Sequence, residues 1–172
     1  ASKRLAALMG EKVFENPKDE EVIQRIIQFC GTDNGDIVLD FFSGSATTAH
    51  ALLLANIEQN FRRKFIMVQL PEKINPQNEG SEKAKKVAQN AVALLDSIHA
   101  PHNICEIGKE RIRRAGRKIK ENVGLVASAD LDIGFRCLRL DESNMENVYY
   151  APDEVKQELL FSQVDNVKPD RT

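Results

Sequence analysis

The chain has 172 residues, 42% of them hydrophobic and 29% charged, with a formal net charge of −2. This is a length and balance that can bury a core without disulfide staples. The near-neutral charge excludes a surface that grips nucleic acid on every side, though one local basic face is compatible with it. No apolar run reaches the ~18 residues of a transmembrane helix, and the opening Ala1-Ser2-Lys3-Arg4-Leu5 lacks the apolar segment of a secretory signal. Cys30, Cys105 and Cys137 are odd in number and widely spaced, and each lies in an apolar or periodic segment. They read as reduced core residues of a cytoplasmic protein.

In chain order, Leu5, Leu8 and Met9 give a short helical pattern that ends at a loop around Gly10. Pro17 marks an extended or turn conformation before a second helix over Asp19–Cys30, where Val22, Ile23, Ile26, Ile27 and Cys30 recur at helical spacing. Gly31 ends it. Ile37–Leu39 then reads as a buried strand, Ser43–Thr48 as a turn of small residues, and the apolar stretch 49–55 as a buried helix, with His50 a packing residue on its apolar face. A second apolar strand covers Phe65–Leu70, which completes a βαβ unit of the kind found inside a sheet with both faces covered. The clearest helix runs over Ser81–Ile98. Asn103 followed by Glu106 resembles a capping box that starts another. Seven of the twelve residues from Lys109 to Lys120 on that helix are Lys or Arg. That run can contact DNA phosphates, or serve as a solvated face or a surface for a partner subunit. Gly134–Leu140 reads as a third strand with Phe135, Cys137 and Leu140 in the core, and Glu154–Phe161 as a last short helix. Residues 162–172 form a tail.

The chemistry points to the turn. Small residues between a strand and a helix let a ligand approach the backbone and aim helix N–H groups at an anion. The sequence Asp40-Phe41-Phe42-Ser43-Gly44-Ser45-Ala46-Thr47-Thr48 has no phosphate-loop lysine and no three-glycine dinucleotide fingerprint. His99 and His102 have no Cys or carboxylate at ligand spacing, so no metal site is expected.

This turn resembles the Asp-x-Phe-x-Gly-Ser-Gly-Thr-Thr motif of S-adenosylmethionine-dependent amino-methyltransferases acting on DNA. Four further stretches extend the resemblance: Phe14–Lys18, Arg63–Glu72, Glu110–Ala115 and Asp132–Arg136. Together with Ile37–Ala51 they look like successive blocks of one family, the modification (Mod) subunits of type III restriction–modification systems, adenine-specific DNA methyltransferases of the permuted β class. The resemblance implies an α/β fold, a partial Rossmann-like methyltransferase domain with a mainly parallel sheet and helices on both faces. Residues 1–161 would be its cofactor-binding part and 162–172 a linker. The chain holds no Pro-Pro dipeptide, and the family's catalytic Asp-Pro-Pro-Tyr motif lies before the Phe14–Lys18 block. The expectation is a portion that binds S-adenosylmethionine, carries no catalytic residue and does not methylate DNA alone.

Residue by residue, the resemblance places Phe14, Pro17 and Lys18 over the methionine end of the cofactor, with Lys18 as carboxylate partner. Asp19 stands where the family usually has proline. Asp40 would orient the turn or the cofactor's ammonium, and Phe42, Gly44 and Ser45 would wall the methionine moiety. Thr47 and Thr48 would cap the following helix. Gln69 or Glu72 would accept hydrogen bonds from the ribose. Ala46 replaces the second glycine, which costs about 1 kcal/mol if the position needs positive φ and nothing if it is helical. Implied partners are DNA and the restriction (Res) subunit, with no membrane. A first strand left without a neighbour would expose its edge and nearby apolar faces, or cover them by self-association. Two other classes stay open: a non-catalytic DNA-phosphate or subunit-binding module using helix 109–120, and a nicotinamide-dependent oxidoreductase.

Overall fold

A computed structural model describes residues 1–124, 131–145 and 167–168. The chain divides into two units, Ala1–Gly134 and Phe135–Thr172. The first contains α1 (Ser2–Met9), α2 (Glu20–Phe29), β1 (Ile37–Asp40), α3 (Thr47–Gln59), β2 (Lys64–Met67), α4 (Glu82–Ser97) and α5 (Ile104–Val123).

Helix starts follow local chemistry. The Asp19 carboxylate accepts the Glu21 N–H at 3.0 Å, Ser81 Oγ accepts that of Ala84 at 3.1 Å, and Asn103 Oδ1 accepts that of Glu106 at 3.2 Å. Each satisfies a first-turn donor that the helix itself leaves unpaired. α2 ends where Gly31 takes a left-handed φ of 66°.

β1 and β2 are parallel and adjacent, with Val38 opposite Phe65 and Leu39 opposite Ile66. Val38 and Phe65 turn inward onto Ile27 of α2 and Ala51 and Leu52 of α3, with Ile23 packed alongside. Leu5 and Met9 of α1 form a second cluster with Val13, Ala91 and Leu95 of α4, and Ile107 of α5. α5 lies against α3 and α1 and touches α4. A Cβ on Gly116 would sit 3.1 Å from that of Ile133, so the missing side chain lets residues 131–133 lie on α5.

The architecture departs from expectation in three places. First, the sheet has helices on one face only among the described residues. Ile37, Leu39 and Ile66 on the other face are 60%, 50% and 49% exposed. The strands therefore alternate instead of being buried on both sides, and the bare face matches the exposure expected of a strand lacking its neighbour. Second, Gly134–Leu140 forms no strand: no described segment pairs with it, Cys137 is exposed, Leu140 is 93% exposed, and Phe135 is only half-buried. Third, Cys30 is exposed and Cys105 half-buried, so none of the three cysteines is a fully buried core residue.

In the second unit, Met145 pairs with Val167 in an isolated antiparallel bridge, and Lys168 N–H donates to the Asn144 carbonyl at 2.7 Å. The helix expected over 154–161, and the tail from 162 apart from residues 167–168, lie outside the described residues. Among the described residues no helix is long and apolar enough to cross a membrane.

Candidate functional site

The turn between β1 and α3 is held by bonds from β1, from α3 and from the segment after β2. Asp40, the last residue of β1, accepts the Phe42 N–H at 3.2 Å and the Thr48 hydroxyl at 2.6 Å, so the strand end is tied to the first turn of α3. Beyond β2, the Gln69 side-chain oxygen accepts the Gly44 N–H at 2.8 Å. Ser43 N–H donates to the Val68 carbonyl at 3.2 Å. Gly44 and Ala46 both occupy the left-handed region, with φ of 49° and 55°. Of the two alternatives for Ala46, the strained one therefore holds.

Ala46→Gly should relieve about 1 kcal/mol of backbone strain and give back most of a buried methyl at ~0.8 kcal/mol. The expected net change is neutral to ~0.5 kcal/mol more stable by urea denaturation, whereas a loss beyond 1 kcal/mol would contradict a left-handed residue here.

Phe14 lies over the turn: a Cβ on Gly44 would stand 3.4 Å from Phe14 Cζ. This brings together two blocks that are thirty residues apart in the chain. Pro17 is buried and anchors its segment, while Lys18 is exposed with no hydrogen bond or ion pair among the described residues. Asp19 is turned toward α1, where the Arg4 guanidinium meets its carboxylate. Phe42 is 86% exposed beside the turn. Glu72 is exposed, and its carbonyl accepts the Ile104 N–H at 3.0 Å, which joins the segment after β2 to the start of α5.

Several expected roles are corrected. Thr47 and Thr48 do not cap α3: the N-cap position is Ala46, which has no side-chain oxygen, and both hydroxyls are engaged elsewhere. Ser45 is buried with its hydroxyl turned inward to Arg111, while Phe42 is exposed beside the turn. The Gln69 oxygen accepts one bond from the turn and keeps a second lone pair, and Glu72 is exposed beyond the end of β2.

The basic run is not one face. Arg111 is 1% exposed, and its Nη1 donates to Thr47 Oγ1 at 2.6 Å, Ser45 Oγ at 3.0 Å and the Ser45 carbonyl at 3.3 Å. Its Nη2 lies 3.5 Å from the buried Glu20 carboxylate, and its Nε 3.5 Å from His50 Nδ1. Burial pulls the Arg111 guanidinium down to about 10, with Glu20 opposing, so it stays charged at neutral pH. Arg114 reaches the C-terminus of α1, donating to the Met9 carbonyl at 2.6 Å while its Nε meets buried Glu110 at 2.7 Å. The exposed cations are Arg113, Arg117, Lys118 and Lys120, and Arg113 and Arg117 share Glu110 at 3.7 and 3.6 Å.

Arg111 was the site residue hidden in the sequence. The signal for it is spacing, since it falls four residues from both Ile107 and Ala115, in line with the apolar stripe of α5. In a run of seven cations that register is easily read as one more solvated charge.

The chain is 33% identical over 137 residues to the Mod subunit of the type III restriction-modification enzyme StyLTI of Salmonella typhimurium, an alignment covering 80% of this chain and 18% of that protein. It is 35% identical over 118 residues to the EcoPI Mod subunit of Escherichia phage P1, covering 69% and 16% of the two. Against the type II methyltransferase M.KpnI of Klebsiella pneumoniae the identity is 38% over 69 residues, 40% of this chain and 16% of that protein. The chain thus spans less than one fifth of the length of the curated relatives it matches. Residues 2–92, more than half of the sequence and the stretch that contains Phe14, the turn and Glu72, match the DNA methylase family, and the chain belongs to it.

Proposed function

We propose that Phe14–Lys18, the Gly44 turn and the residues after β2 form one wall of an S-adenosylmethionine site. The whole protein would be the modification subunit of a type III restriction–modification system, transferring a methyl group to the exocyclic amine of an adenine flipped from the duplex. The observation that carries this reading is the Phe14 ring within van der Waals reach of Gly44, which brings together two stretches thirty residues apart in the chain. The donor set suits the ligand. Exposed Lys18, without a partner among the described residues, offers a cation for the methionine carboxylate, and the N-cap of α3 makes no side-chain hydrogen bond, which leaves first-turn N–H groups for its oxygens. Exposed Phe42 would pack against the methionine moiety, and Glu72 would accept from the ribose hydroxyls. S-adenosylmethionine would supply the methyl group, while these residues bind and orient it. None of them is a general base or stacks on the flipped base, so this portion alone is expected to be inactive. DNA and a restriction subunit are the proposed partners of the whole protein, in the cytoplasm.

Calorimetric titration with S-adenosylhomocysteine, S-adenosylmethionine and NAD tests the site. Saturable binding of the first two, weakened about tenfold by Lys18→Ala, is expected. Preference for NAD would overturn the reading.

The competing interaction module on α5 keeps four exposed cations, but Arg111 and Arg114 have been drawn into internal bonds. A phosphate-binding test of that module should therefore reverse Arg113 and Arg117 and leave Arg114 alone.

A further inference from the structure

We propose that Arg111 is the positioning residue of the cofactor turn, fixing its left-handed geometry from beneath through α5. This rests on the reading of that turn as the cofactor wall.

Three observations converge on it. One guanidinium nitrogen holds Thr47, the Ser45 hydroxyl and the Ser45 carbonyl, the residues that flank Ala46. One helical turn earlier, Gly108 brings the same helix against the turn from the same side: a Cβ there would lie 3.3 Å from that of Ala46 and 3.4 Å from the Gly44 carbonyl oxygen. The opposite end of the fork faces Glu20, whose Oε2 is buried without a hydrogen bond and has Arg111 at 3.5 Å as its charged neighbour. Glu20 opens α2 immediately after Pro17, Lys18 and Asp19. Arg111 therefore ties the turn to the segment that follows Pro17 and Lys18, on the side opposite the Phe14 contact with Gly44. A left-handed alanine persists only where its surroundings over-determine it. A planar fork donates from both of its ends at once, whereas a lysine ammonium donates only from a single point.

The test uses the full-length protein with S-adenosylhomocysteine as probe and amide hydrogen exchange over residues 43–50 as a second readout. Arg111→Lys keeps a charge beside Glu20 but loses the fork. Thr47→Val removes one acceptor at constant volume. Val87→Ala, at a buried position of α4 outside the cluster that carries Phe14, serves as a control that loosens the protein elsewhere. Arg111→Lys should weaken binding at least tenfold and speed exchange at Gly44 and Ala46 at least tenfold, with Thr47→Val changing both in the same direction by a smaller factor. Val87→Ala should leave binding within twofold of wild type. Exchange and affinity within twofold of wild type in Arg111→Lys, or an equal effect of Val87→Ala, would overturn the proposal. If Arg111→Lys does not fold, Thr47→Val decides in the same way. If the wild-type protein fails to bind the probe, the cofactor reading falls, and the exchange arm still decides whether Arg111 holds the turn.

Discussion

Glu20→Ala should cost about 3–5 kcal/mol of unfolding free energy, because it strands a buried charge. The Glu20 carboxylate is almost fully buried, with Oε1 accepting from Arg4 Nε at 2.6 Å and Oε2 at 3.5 Å from Arg111 Nη2. Removing it leaves the Arg111 guanidinium desolvated against neutral acceptors only. The pair itself is worth far less than the loss on breaking it, since two charges taken out of water recover little more than their desolvation. The double substitution Glu20→Ala with Arg111→Met should therefore be more stable than Glu20→Ala alone. Urea denaturation of the wild-type, single and double variants supplies the cycle. A Glu20→Ala loss below ~1 kcal/mol would mean that the carboxylate is solvated and the pair is not buried.

Acid should weaken the fold through His50. Burial first, then the Arg111 guanidinium, with smaller contributions from Lys118 and Arg4 and with Glu20 opposing, hold His50 down at about 4 against an ordinary 6.5. The long contact from Arg111 Nε, 3.5 Å, also requires Nδ1 without a proton. The folded state thus binds a proton less readily than the unfolded chain. Above pH ~6.5 the group is neutral in both states and costs nothing. Between ~6.5 and ~4 the unfolded chain takes up the proton while the native state does not, and stability falls. Below ~4 both are protonated and this contribution is constant. The full loss is about 3 kcal/mol. Denaturation midpoints at pH 7 and pH 4.5 should show most of it, and His50→Gln should flatten that part of the pH profile. An unchanged slope in His50→Gln would assign the acid limb to other groups.

The parts of this structure legible in the sequence are those set by neighbours along the chain. Asp19, Ser81 and Asn103 start helices because a short side-chain oxygen can reach an N–H two or three residues on. The βαβ unit was readable because its strands are apolar and its connection short. Gly134–Leu140 has a similar apolar content and forms no strand, since a strand needs a partner edge that no local pattern can promise. In the turn, Asp40 and Gly44 stand where their residue types suggested. The threonines do not, because a left-handed Ala46 at the helix start releases their hydroxyls to Asp40 and Arg111. Buried charges such as Arg111 and Glu20 are the hardest to read, because composition places charge at the surface and only tertiary pairing draws it in.

The junction between α1 and α5 also bears on the order in which the chain can assemble. Arg114 holds the Met9 carbonyl across 105 positions of sequence, and Leu5 and Met9 pack on Leu95 and Ile107. At roughly 5–20 residues per second, synthesis delivers α5 on the order of 5–20 s after α1. For that interval the first helix has an apolar stripe and an open C-terminus with nothing to receive them, and eight residues are too few to be stable alone. α1 should therefore be the last piece of this unit to order on the ribosome, although it is the first to leave it.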